Sequence, residues 1–137
     1  MMGEKLINGI QHDISCEEIG MLTAAVIKKE AGEYDVEVVQ RLRVTRQALV
    51  GLGESLKACA LLVDLALPHN RLTRLEGLGS CLRLASLDLS YNRISRVGGG
   101  LKGLINLRSL DLRANAIEAG DDLEGLSHGQ WNFQWNI

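Results

Sequence analysis

Apolar and polar positions recur along this chain with a long, regular period. From Leu62 the sequence reads LVDLALPHNRL, from Leu84 LASLDLSYNRI and from Leu107 LRSLDLRANAI. All three fit L-x-x-L-x-L-x-x-N-x-[LI], and their asparagines, Asn70, Asn92 and Asn115, lie 22 and 23 residues apart. A fourth, weaker copy comes first: VQRLRVTRQAL from Val39 keeps the apolar positions and puts Gln47 in the asparagine slot, 23 residues before Asn70. Terminal members of such arrays are expected to be atypical. The second halves align as well, through the apolar pairs Leu56 and Cys59, Leu78 and Cys81, Leu101 and Leu104, and Leu123 and Leu126.

The pattern dictates a coil. Alternation in L-x-L makes a short strand with both leucines on one face and the residue between them on the other. The second half of each repeat returns as a helix or 3₁₀ turn and covers the leucines. One coil cannot bury its leucines alone, so stability depends on its neighbours. The expected architecture is α/β: a right-handed solenoid with a parallel concave sheet and an N-terminal helical cap. Its coils span 39–61, 62–83, 84–106 and 107–126, together 39–126.

Two segments flank the array. Residues 1–12 read as a flexible N-terminus and 13–38 as a helical cap. Within that cap, 13–32 patterns as one amphipathic helix. Ser15 and Glu18 form a capping box, Ile14 and Ile19 a hydrophobic staple, and Gly32 a C-terminal stop. Ile19, Leu22, Val26 and Ile27 fall on one face. Asp35 to Val39 then turns into the first strand. At the other end, 127–137 is an aromatic tail in which Trp131, Phe133, Trp135 and Ile137 alternate. Two readings fit it: a strand that closes the last coil, or a chain whose natural cap is missing through truncation or splicing.

Composition narrows the function classes. Only five aromatics occur, two Trp, two Tyr and one Phe, so the core is built from aliphatic layers. A net charge of −2 argues against a general nucleic-acid binder, which would show a basic excess. No apolar run is long enough to span a membrane, and the N-terminus lacks the pattern of a secretory signal. Cys16, Cys59 and Cys81 make an odd count, which points to free thiols in a reducing compartment and a cytoplasmic protein. Cys59 and Cys81 occupy the apolar site that ends a coil, where cysteine acts as a small hydrophobe. His12, His69 and His128 have no metal-ligand spacing, so no metal is expected. Gly98-Gly99-Gly100 lacks the Lys-Ser or Lys-Thr of a phosphate loop and reads as relaxing the turn of a 23-residue repeat. Asp88 and Asp111 share an open surface with no pocket to desolvate them, which disfavours acid catalysis.

The repeats from Val39 to Leu126 resemble the intracellular leucine-rich repeats of about 22 residues. That group includes a regulatory subunit of protein phosphatase 1, an axonemal dynein light chain and a spliceosomal protein. Ile19 to Lys29, followed by AGEYDVEVV, resembles the cap of the small ciliary and axonemal members. The resemblance implies a structural asparagine ladder, here Gln47, Asn70, Asn92 and Asn115, in which each side chain satisfies backbone groups at the bend after a strand. It also implies a non-enzymatic module that takes no cofactor or small-molecule substrate and binds a protein partner across the concave face. A place at the cilium or cytoskeleton follows from the same likeness. A phosphatase-regulatory or spliceosomal assembly subunit is the alternative.

Repeat geometry then nominates the contact residues. The concave candidates are Arg41, Arg43 and Arg46 at one end, Asp64, Ser86, Asp88 and Asp111 towards the other, and Arg113 after the last strand. His69 and Tyr91 lie between as amphipathic anchors. Arg71, Arg74, Arg93 and Arg96 hold equal positions in adjacent coils and form a second basic row.

Overall fold

The computed structural model describes residues 20–97 and 99–117. Its elements run in chain order as helix α1 (Ala24–Ala31), a 3₁₀ turn (Val36–Val38), β1 (Arg41–Arg43), a second 3₁₀ turn (Ser55–Ala58), β2 (Asp64–Ala66), β3 (Ser86–Asp88) and β4 (Ser109–Asp111). The four strands form one sheet in the order β1-β2-β3-β4, every pair parallel. Leu42, Leu65, Leu87 and Leu110 are register partners across it and point inward, each no more than 3% exposed. The strands, the register and the inward face are those the repeat demands.

The core is a stack of aliphatic layers. Leu62, Leu84 and Leu107 open the coils; Leu67, Leu89 and Leu112 close their strands; Leu56, Leu78, Leu101 and Leu104 cover them from the return side, all buried. Each fully buried leucine contributes about 1.5–3 kcal/mol of transfer free energy. Cys59 and Cys81 lie in the same layer with no exposed surface. Their Sγ atoms reach Ser55 O at 3.9 Å and Leu56 O at 3.7 Å, respectively. Burial pushes both thiols up, Cys81 to about 11 with a further push from a charge on Cys59. At neutral pH they are protonated and unreactive, packing atoms as expected.

The N-terminal helix is shorter than its amphipathic pattern. It begins after Thr23, whose Oγ1 accepts the Val26 N–H at 3.3 Å, and ends at Gly32, left-handed at φ 71°. The expected start near residue 13, with the capping box at Ser15 and Glu18 and the staple at Ile14 and Ile19, lies outside the described residues. A single helix over 13–32 is nevertheless broken. Gly20 takes φ 79°, and Met21 is extended, forming a parallel bridge with Gly51. Leu22 N–H donates to Gly51 O, while Val50 N–H donates to Gly20 O. Backbone pairing with the first coil has won over helix propagation. Leu22 is still buried, as the pattern required, but it packs from extended chain; Ile27 buries from the helix. Asp35 caps the following 3₁₀ turn by accepting the Glu37 N–H at 3.0 Å. The aromatic tail 127–137 lies outside the described residues.

Within the glycine run, Gly98 lies outside the described residues and the other two behave differently from expectation. Gly99 and Gly100 have no left-handed φ. At Gly100 a Cβ would collide with the backbone of Leu75 in the preceding coil. This glycine therefore permits close approach between coils rather than freeing a turn.

Candidate binding face

The residue before each asparagine slot is left-handed: Arg46, His69, Tyr91 and Ala114 all have φ 57°. For a side chain other than glycine this costs about 1–2 kcal/mol. The asparagine that follows holds the bend in place. Asn92 Nδ2 donates to Leu89 O and Ser90 O of its own coil and to Leu67 O of the preceding one, while its Oδ1 accepts the Leu72 N–H. Asn70 does the same with Leu67 O, Pro68 O and Val44 O, its Oδ1 accepting from Gln47 and Leu49. Asn115 repeats the scheme with Leu112 O, Arg113 O, Leu89 O and the Ile94 N–H. Gln47 does not join the ladder. Its side chain is exposed, and only its backbone takes part, the N–H donating to Asn70 Oδ1 at 3.0 Å. Among the described residues no strand of a preceding coil lies beside β1 to supply the carbonyl that a fourth member would need. The glutamine side chain, one methylene longer, stays in solvent.

Register places the concave candidates in two rows. Arg41, Asp64, Ser86 and Ser109 form one; Arg43, Ala66, Asp88 and Asp111 form the other. All are exposed or half-buried except Ala66. A third row is Arg46, His69, Tyr91 and Ala114, joined by backbone bonds from Arg46 N–H to His69 O and from His69 N–H to Ser90 O. His69 and Tyr91 are stacked, with ring centroids 4.5 Å apart and planes 9° from parallel. Tyr91 remains 48% exposed, so the stack presents a flat apolar platform with polar edges.

The charged groups differ in what they already do. Asp88 Oδ1 accepts the Ser90 N–H at 3.0 Å and the Ser90 hydroxyl at 2.7 Å. Asp111 Oδ1 accepts the Arg113 N–H, and its Oδ2 pairs with the Arg113 guanidinium at 2.9 Å. Both aspartates thus fasten the turn that leaves their strand. Coil two carries Ala66 and Pro68 at the same two positions: where the acceptor is missing, so is the donor. Among the described residues Arg41, Arg43 and Arg46 make no ion pair. The concave face is therefore less evenly polarised than its residue types suggest. Its arginine end is uncommitted, and two of its three acids are engaged within their own coils.

The second basic row is also in place. Arg71, Arg74, Arg93 and Arg96 are exposed at matching positions of coils two and three. Arg74 and Arg96 border an open groove of about 670 Å³ with Glu76, Gly77, Gly100 and Lys102. Arg74 pairs with Glu76 at 3.7 Å, and both are largely solvated. Among the described residues no three His, Cys, Asp or Glu side chains are placed to hold a metal, and no helix is long and apolar enough to cross a membrane.

Residues 83–128 match the family model described as Leucine Rich repeats (2 copies). The match and the fold together support a short leucine-rich-repeat protein. Among solved structures it is similar to internalin C2 of Listeria monocytogenes, with a TM-score of 0.55 and 20% sequence identity over 74% of this chain. The match spans 45% of that chain, and at this identity the likeness is one of fold. No curated protein sequence matches. Leucine-rich-repeat domains generally mediate protein–protein interaction and are typically not enzymes.

Proposed function

We propose that this leucine-rich-repeat protein is a non-enzymatic interaction module that grips a protein partner on the concave face of β1–β3. One observation carries the reading: a partly exposed aromatic stack, His69 on Tyr91, stands beside three arginines free of ion pairs among the described residues, on a face whose backbone is fixed by the asparagine ladder. A rigid aromatic anchor ringed by polar groups is the composition of an interface centre. The ladder keeps the platform ordered before binding, which lowers the entropic cost of association. The finer reading, an adaptor at the cilium or cytoskeleton, rests on the resemblance of the N-terminal segment and repeats to the small ciliary members.

The test is affinity capture from ciliated-cell extract with the wild type, an Arg43→Glu/Tyr91→Ala variant and an Arg74→Ser/Arg96→Ser variant. The expected result is a set of proteins retained by the wild type and the second variant and lost with the first. Tubulin or axonemal proteins in that set favour the ciliary assignment; a phosphatase or spliceosomal proteins select the alternative. Capture that survives the concave substitutions and fails on the Arg74/Arg96 change overturns the choice of face.

A further inference from the structure

We propose that the arginine end of the concave face is a receptor for an acidic segment of a partner protein, with an aromatic or aliphatic side chain of that segment resting on the His69–Tyr91 stack. This rests on the reading above and specifies what is gripped. Arg41 and Arg43 project from one face of β1, and Arg46 follows at the bend, so three guanidinium groups gather within six residues. None is ion-paired among the described residues, and next to Arg43 the sheet offers only the small, buried Ala66. A carboxylate arriving there meets planar, multi-donor guanidinium groups and displaces no existing partner. The bend row sets the order of contacts: Arg46 first, then His69, then Tyr91 one coil further on. An acidic residue at Arg46 therefore lies next to the platform on which its apolar neighbour would rest.

Charge decides between a peptide and a nucleic acid. Asp64 lies opposite Arg41, and Asp88 and Asp111 continue the Arg43 row. A continuous phosphate chain crossing the sheet would meet those carboxylates. A protein segment acidic at one end and apolar or neutral beyond it would not. The protein's net charge of −2 likewise gives a polyanion no general attraction.

The experiment measures fluorescence anisotropy of a labelled glutamate-rich peptide carrying one central tryptophan. Its companions are the same peptide with alanine for tryptophan, a lysine-rich version and a labelled uridine oligonucleotide. Expected are binding of the glutamate–tryptophan peptide that weakens with added salt and no binding of the lysine version. Arg41→Ser/Arg43→Ser should weaken binding about tenfold or more, as loss of charge-assisted contacts does, with an unchanged circular dichroism spectrum. Tyr91→Ala should abolish the advantage of tryptophan over alanine and leave the alanine peptide's affinity as it was. No binding of the acidic peptide overturns the proposal, as does binding indifferent to the β1 arginines. Loss with Arg74→Ser/Arg96→Ser would assign the acid to the other basic row, and tighter binding of the oligonucleotide through Arg41 and Arg43 would assign a nucleic acid; either overturns it too. Should concave substitutions abolish protein capture while the acidic peptide fails to bind, the binding face stands and only its acidic specificity falls.

Discussion

Coils one and two have nearly the same apolar frame and different ways of fixing their bends. Coil two carries its own asparagine: Asn70 holds the bend it belongs to and ties the bend of coil one. Coil one has Gln47, which holds nothing through its side chain, and Ala48 beside it is a further left-handed residue at φ 55°. Its order is supplied from both flanks, by Asn70 on one side and by the bridge to residues 20–22 on the other. The lesson is directional. A ladder asparagine serves the coil before it as much as its own, so the first coil can lack one and still be held.

Four measurements test that contrast. The largest effect is expected from Leu87→Ala, in the sheet centre with a coil on each side. It should cost about 2–5 kcal/mol by chemical denaturation. A wild-type midpoint would mean the inward face is misassigned. Next, Asn92→Ala strands the buried Leu72 N–H and takes one of two donors from each of the carbonyls of Leu67, Leu89 and Ser90, at about 2–4 kcal/mol. Gln47→Ala, in the equivalent slot of coil one, should stay within about 0.5 kcal/mol. Equal costs at the two positions would erase the distinction between the coils.

The third measurement uses pH. The Cys81 thiol is raised from 9.0 to about 11 in the fold. The unfolded chain releases its proton first as pH rises, so the stability that this buried thiol contributes is complete below pH 9 and falls between pH 9 and about 11. The loss amounts to about 2–3 kcal/mol. In Cys81→Ala the slope over that window should be shallower than in the wild type; an identical slope would show that Cys81 is not the group responsible. The smallest effect separates two neighbouring glycines. Gly100→Ala must push back the Leu75 backbone and should cost about 1–3 kcal/mol. Gly99→Ala has open space around its Cβ and should be neutral within about 0.5 kcal/mol. Comparable melting temperatures for the two would refute the close coil-to-coil approach.

Much of this was legible in the residues, for a physical reason. A period-two strand inside a period of 22 or 23 fixes which leucines face inward and which residues share a row, and the observed register is the one that period requires. What escaped depends on partners distant in sequence. Whether residues 20–23 continue a helix was decided by Gly51, about thirty positions away. Gln47 looked like a ladder member because the slot was right, whereas membership requires a coil on the N-terminal side. The engagement of Asp88 and Asp111 had a readable signal that went unused: an aspartate two residues before a free N–H, with Ala66 and Pro68 as the exception that fits. The His69–Tyr91 stack was readable too, since both occupy the position before the asparagine in adjacent coils. Arg41, Arg43 and Arg46 could be placed by pattern alone; that they make no ion pair among the described residues could not.

The backward reach of the asparagines gives the array a polarity that its symmetric repeats conceal. Remove a coil from the C-terminal side and the bend before it loses amide and carbonyl partners. Remove one from the N-terminal side and the next bend keeps the contacts its own asparagine makes. Unravelling should therefore propagate more readily towards the N-terminus, and hydrogen exchange along the bends would reveal it as a gradient of protection with one direction.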